Sequence, residues 1–177
     1  MALVVLLRGV NVGGHRTFRP SVVARQLHRL DVVNIGAAGT FVVRKPVGQA
    51  QLRAELAPLL PFDTETMICN GRDVLRLVSS NPLGDEASSP DIVPFVSVLA
   101  KRRPPSSPLP HEFPATGEWG VRLVGQQGRF VFGVYRREMR AVSQLAQVDR
   151  LFGVPATTRN WNTMSAIARL LESSGRP

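Results

Sequence analysis

The first hydrophobic run, Leu3-Val4-Val5-Leu6-Leu7, is unbroken by any polar residue and stops at Arg8-Gly9. Lacking polar alternation and containing β-branched valines, it predicts a strand buried on both faces. Asn11 with Gly9, Gly13 and Gly14 then predicts a loop whose backbone reaches left-handed conformations. Pro20 suits a first helical turn, and Val23, Leu27 and Leu30 recur at helical spacing, so a helix is expected over 20–30. Val32–Ile35 and Thr40–Val43 read as paired strands across the break Gly36–Gly39. Leu52, Leu56 and Leu59 predict a second helix that starts near residue 48 and ends between Pro58 and Pro61, and Thr64–Cys69 a further strand. The order strand–helix–strand–strand–helix–strand is the ferredoxin-like split-βαβ pattern, in which the first strand is interior.

Beyond residue 70 the pattern loosens. Asn70 with Asp73 three positions on predicts a helix start, Val74, Leu75 and Val78 its buried face, and Asn81-Pro82 its stop. Gly84–Pro90 reads as loop and Ile92–Leu99 as a strand. Five prolines in 104–117 argue against regular helix there. Trp119, Val121 and Leu123 alternate, as do Phe130, Phe132 and Val134, which predicts a hairpin turning at Gly125–Gly128. A helix is expected over 143–152, ending at Gly153 before Pro155. The last helix is expected to open at Thr157-Thr158 and to present Trp161, Met164, Ile167, Ala168 and Leu171 as one apolar stripe. The expected class is therefore α/β (α+β), with two ferredoxin-like split-βαβ lobes, the second degenerate. Residues 1–70 would form the first lobe, and residues 71–177 the second, its C-terminal helix packing back on the first.

The 177 residues, 44% of them hydrophobic, suffice for one domain or two small lobes. Apolar runs of about six residues fall short of the roughly twenty that span a bilayer, so no membrane association is expected. Met1 runs directly into the first strand with no basic, apolar leader, so a signal peptide is not expected and a cytoplasmic location is the default. The single cysteine, Cys69, excludes an internal disulfide and a Cys-rich zinc cluster. The net charge of +9 is shared by both halves, and residues 1–30 hold Arg8, Arg16, Arg19, Arg25 and Arg29 with no acid before Asp31. Such a balance attracts phosphates. Lys45 and Lys101 are the only lysines, however, a ratio that codon bias produces as readily as a selected surface, and clustering on one face is not visible in sequence.

Two segments carry candidate chemistry. Arg8 follows a strand buried on both faces, so it must emerge at the edge or be paired. The loop after it has neither the G-x-G-x-x-G spacing of dinucleotide folds nor the Gly-Lys-Ser/Thr ending of an NTPase loop. A turn in which Asn11 bonds backbone explains it as well. In Thr157–Thr163 a Thr cap is expected, and Arg159 would place a cation at the positive end of a helix dipole. Either a bound anion compensates it, or Arg159 pairs with a carboxylate such as Asp149 or Glu138. Asn160 and Asn162 read as capping or loop hydrogen bonds. His15, His28 and His111 have no metal-ligand spacing, no nucleophile elbow occurs, and no carboxylates pair. Trp119, Phe130 and Phe132 beside Arg122 and Arg129 superficially suit base stacking, but alternation points them into a core.

The run Leu6-Leu7-Arg8-Gly9-Val10-Asn11-Val12-Gly13-Gly14 resembles the opening of the bacterial domain-of-unknown-function family 1697. Gly153-Val154-Pro155-Ala156-Thr157-Thr158-Arg159-Asn160-Trp161-Asn162-Thr163 resembles its closing signature. The resemblance implies a small cytosolic α/β protein with ferredoxin-like lobes, and it supplies no activity or cofactor. The chain departs from the family pattern in three places. Ala38-Gly39-Thr40-Phe41 stands where a Ser-Gly-Asn-Val run is usual, Ser143-Gln144-Leu145 where Ser-Lys-Leu is, and the Pro-rich 104–114 stretch where helix is typical. A site built from that Ser, Asn and Lys would be depleted here. The leading expectation is a cleft between the lobes that binds a phosphate- or carboxylate-bearing small molecule. Its donors would be Arg8, Asn11, Gly13, Gly14, Thr158, Arg159 and Asn160. The alternatives are a nucleic-acid-binding module using the basic surface, and a non-catalytic interaction protein in which both segments lock the fold.

Overall fold

A computed structural model describes residues 1–11, 14 and 17–173. It divides into two compact units, Met1–Arg76 with Ser165–Pro177, and Leu77–Met164.

In the first unit β1 (Leu3–Leu7), β2 (Val32–Ile35), β3 (Thr40–Val43) and β4 (Thr66–Asn70) form an antiparallel sheet in the order β2-β3-β1-β4. β1 is interior, its Leu6 facing Thr40 of β3 and Met67 of β4, as its unbroken hydrophobicity requires. All five β1 residues are buried. Leu3, Val5 and Leu7 join Val23, Phe41, Leu52, Leu56 and Ile68 in one core cluster, with α1 (Pro20–Gln26) and α2 (Gln49–Leu56) as the crossover helices. α1 is shorter than its periodicity predicts. A 3-10 turn at His28–Leu30 and a left-handed Asp31 (φ +53°) close it, and Asp31 takes the Arg44 guanidinium at 2.8 Å. Ser165 onward in α6 (Trp161–Ser173) belongs to this unit, where Leu171 lies against Gly71, so close that a Cβ there would be 2.8 Å from Leu171 Cδ2.

α3 (Gly71–Ser80) leads into the second unit. There β5 (Ile92–Leu99), β6 (His111–Phe113), β7 (Val121–Gln127), β8 (Phe130–Arg136) and β9 (Ala156–Asn160) form a second antiparallel sheet in the order β6-β7-β8-β5-β9. Leaving out the edge strand β6, the order β9-β5-β8-β7 repeats β4-β1-β3-β2 of the first sheet. The irregular, proline-rich segment after β5 stands where α1 stands in the first unit. Phe95, Leu99, Val121, Leu123, Val131, Val148, Leu151 and Phe152 form its core.

Three expectations are corrected, for the last helix, the hairpin turn and the helix over 143–152. The last helix begins at Trp161, not at Thr157-Thr158, because Ala156–Asn160 pairs with β5 as β9. The hairpin turns at Gly128-Arg129, not at Gly125–Gly128. Gly125 lies within β7 beside a register irregularity, and it is glycine because a Cβ there would sit 2.8 Å from the Phe132 ring. The proline-rich stretch is without regular helix, as expected, and holds the three-residue strand β6, at the sheet edge where flanking prolines leave no ladder donor missing. The helix expected over 143–152 is two, α4 (Met139–Leu145) and α5 (Val148–Phe152), the second closed by left-handed Gly153 (φ +64°).

Candidate functional site

β1 delivers Arg8 to the end of the first sheet. Its backbone is held on β4's approach: Arg8 N donates to Glu65 O at 3.0 Å, and Thr64 Oγ1 donates to Arg8 O. Gly9 follows with φ +64°, a conformation glycine adopts without strain. Arg8, Gly9, Arg53, Asp63, Thr64, Glu65 and Thr66 line an open depression of about 660 Å³. Arg53 reaches it from α2 and donates Nη1 to Thr66 O at 3.0 Å. The depression is therefore lined by two arginines and by two exposed acidic residues, Asp63 and Glu65.

Asn11 has another role. At φ +53° it donates Nδ2 to Ala37 O at 2.7 Å and to Phe18 O at 3.1 Å, and its Oδ1 accepts the Phe18 N–H at 2.8 Å. Both amide donors are thus engaged in joining the loop to the β2–β3 turn. Gly14 has φ +76°, and Gly13 lies outside the described residues.

In the second unit Thr158, Arg159 and Asn160 are strand residues. Arg159 is 7% exposed and donates Nη1 to Thr157 Oγ1 and to Thr158 O, both at 2.9 Å. Burial pushes its guanidinium down to about 10, still far above neutral pH, so it is a buried cation. The helix-dipole conflict expected for it does not arise, because it precedes the helix. Thr158 Oγ1 shares a 2.6 Å hydrogen bond with Ser97 Oγ, and Ser97 is fully buried. The cap of α6 is Asn160, whose Oδ1 accepts the Thr163 N–H at 2.9 Å. Asp149 Oδ1 accepts the Ala156 N–H at 3.0 Å, and Glu138 pairs with Arg140.

A second depression, about 680 Å³, is lined by Glu86, Pro110, His111, Glu112, Ala115, Arg122 and Val124. Sequence reasoning did not find it, since it joins residues from three separated segments. Arg122 bonds Glu112 at 2.8 Å and lies 4.4 Å from the Trp119 ring centre, while Arg136 lies 4.6 Å from it. Phe130 and Phe132 are buried. Cys69 is buried in β4, and among the described residues no three His, Cys, Asp or Glu side chains gather as a metal would need. No described helix is long and apolar enough to cross a membrane.

Among solved structures the chain is similar to a conserved bacterial protein from Streptococcus pneumoniae. The TM-score is 0.62 at 17% identity, over 97% of this chain and 98% of that one. At that identity the likeness establishes the mixed α/β fold alone. No curated protein matches. A family model matches residues 1–109, more than half of the chain. The chain belongs to that family, described as a protein of unknown function (DUF1697).

Proposed function

We infer that the protein binds a phosphate- or carboxylate-bearing small molecule at the depression beside Arg8, on a frame of two ferredoxin-like lobes of which the second lacks one helix. The strand orders β4-β1-β3-β2 and β9-β5-β8-β7 support that description of the frame. The observation that carries the binding reading is the pairing of Arg8 and Arg53 on one open depression at the carboxyl end of the interior strand. A guanidinium has five N–H donors in a fork that suits carboxylate or phosphate. The bond from Arg53 Nη1 to Thr66 O anchors that side chain without exhausting its donors. Asp63 and Glu65 on the same depression disfavour a bare dianion, so the expected ligand carries an amine or hydroxyls beside its anionic group. Arg159, buried within β9, contributes to the second unit's interior instead.

A thermal-shift screen of sugar phosphates, nucleotides, amino acids and small carboxylates tests this. A ligand at about 100 times its Kd adds roughly 2.7 kcal/mol of apparent stability. That gain should vanish in Arg8→Ala and in Arg53→Ala. A screen with no shift, or shifts that survive both substitutions, would refute the reading.

A further inference from the structure

Charge in the second unit is sorted between the two ends of its sheet. At one end Ile92 faces Arg136, and carboxylates and guanidiniums neutralise one another there: Glu86 and Glu112 lie on Arg122, Glu118 and Glu138 on Arg140. At the other end β5 stops at Leu99, where β8 starts at Phe130 and β9 at Ala156. Lys101, Arg102 and Arg103 follow β5 there. Arg129 lies in the β7–β8 turn, and Arg150 precedes Leu151 in α5. No acid occurs between Asp91 and Glu112 or between Glu118 and Glu138. The carboxylate in these segments is Asp149, whose Oδ1 accepts the Ala156 N–H at 3.0 Å. Among the described residues, none of Lys101, Arg102, Arg103 and Arg150 is in an ion pair.

These cations stand on a pinned edge. Ala100 N donates to Pro155 O at 2.8 Å, Arg129 Nε to Leu99 O at 2.8 Å, and Leu99 N to Arg129 O at 2.9 Å. Gln126 Nε2 donates to Arg103 O at 2.7 Å and to Gly128 O at 2.9 Å, and Ser106 N to Leu151 O at 2.8 Å. Prolines at 104, 105, 108 and 110 stiffen the segment that follows. Like charges crowded along a pinned backbone store repulsion that a polyanion relieves. Four of the five side chains are arginines, whose planar forks match phosphate.

We propose that this edge of the second sheet docks the phosphate backbone of a nucleic acid, without reading its sequence. The exposed large hydrophobic residues among those described are Met1, Met139 and Val142, none in these segments. The edge therefore has nothing to insert into an acyl layer, which favours nucleic acid over a membrane surface. Nor do Phe130 and Phe132 offer a stacking platform, being buried, so phosphate contacts dominate.

Fluorescence anisotropy with a labelled single-stranded oligonucleotide of about 20 residues tests the proposal. About four phosphate contacts give a log–log salt slope near −3, so affinity should fall roughly 50-fold between about 50 and 200 mM salt. The triple variant K101Q/R102Q/R103Q should bind at least about tenfold more weakly, with the slope reduced by about 2. A charge-matched control, R19Q/R25Q/R72Q, alters exposed arginines of the first unit and should bind almost as the parent does. Circular dichroism confirms that each variant is folded. Equal losses in both triple variants would overturn the proposal, because net charge alone would then account for binding. Absence of binding at low salt would overturn it too, as would capture by phosphatidylserine vesicles but not by the oligonucleotide. The Arg8 depression uses none of these residues, so small-ligand shifts that persist in K101Q/R102Q/R103Q separate the two readings.

Discussion

Replacing Asn11 tests whether the loop after β1 is a lock or a ligand contact. Asn11→Ala removes three hydrogen bonds, two donated by Nδ2 to Ala37 O and Phe18 O and one accepted from Phe18 N–H. At about 0.5–1.5 kcal/mol net each, and with partial exposure reducing them, they sum to about 2 kcal/mol. The φ of +53° adds about 1 kcal/mol for alanine, which tolerates the left-handed region less well than asparagine. The expected loss is about 3 kcal/mol for Asn11→Ala and about 2 kcal/mol for Asn11→Gly, which loses the bonds but not the conformation. Asn11→Asp keeps the acceptor for Phe18 N–H but sets a carboxylate against two carbonyl oxygens, so it should equal or exceed alanine at neutral pH and recover on acidification. Urea unfolding followed by far-UV circular dichroism reads these differences. With a slope of about 2 kcal/mol/M, alanine should lower the midpoint by about 1.5 M. A loss under about 0.5 kcal/mol, or a glycine variant no milder than alanine, would refute the lock and return Asn11 to the ligand hypothesis.

Three further outcomes are expected. Gly39→Ala should destabilise by about 2–4 kcal/mol, since its Cβ at φ +70° would lie 2.8 Å from Leu7 Cβ; Gly36→Ala, at φ +64° with open space, should cost only about 1 kcal/mol, and equal unfolding midpoints would refute the packing argument. Thr158→Val should cost about 1–3 kcal/mol by stranding the buried Ser97 hydroxyl, while Ser97→Ala with Thr158→Val should recover much of it; an additive double-mutant cycle would show the 2.6 Å bond carries nothing. Arg44 holds the Asp31 carboxyl, and Arg29 and Gln51 the Glu55 carboxyl, below their ordinary values of 3.8 and 4.5. A carboxyl depressed on folding stabilises above its ordinary value and loses that contribution as pH falls through the folded value. Stability measured from pH 6 toward pH 3 should therefore drop more steeply in the parent than in D31N/E55Q, and parallel curves would exclude the linkage.

Where the sequence was read correctly, local chemistry and burial agreed. Val4–Leu7 could be placed inside a sheet because an unbroken apolar run has no face to offer water. Gly153 could be placed at a helix end because its left-handed φ is one that few other residues adopt. The misreadings share a cause: one residue type answers to two demands. Thr157-Thr158 resembles a cap, yet β-branched residues also favour strands, and pairing with β5 decided for β9. The cap that forms, Asn160 to Thr163 N–H, was visible as a spacing but competed with the Thr pair. Gly125 resembles a turn and is glycine for the sake of the Phe132 ring. Of the candidate donors, Arg8 lines a depression with Arg53 and Asp63–Thr66, residues that no local pattern linked to it.

By itself the sequence determined the interior first strand, the alternation of helices and strands, the apolar stripe of the last helix and a surplus of cations. These follow from periodicity and from the cost of leaving apolar groups in water, which neighbouring residues settle among themselves. Tertiary structure alone decided that Asn11 locks a loop, that Arg159 is buried in a strand, and that the second unit's charges separate into a neutralised end and a basic end. Each of those depends on strand register and on contacts between segments far apart in the chain, and a single residue's identity does not encode which distant partner it will meet.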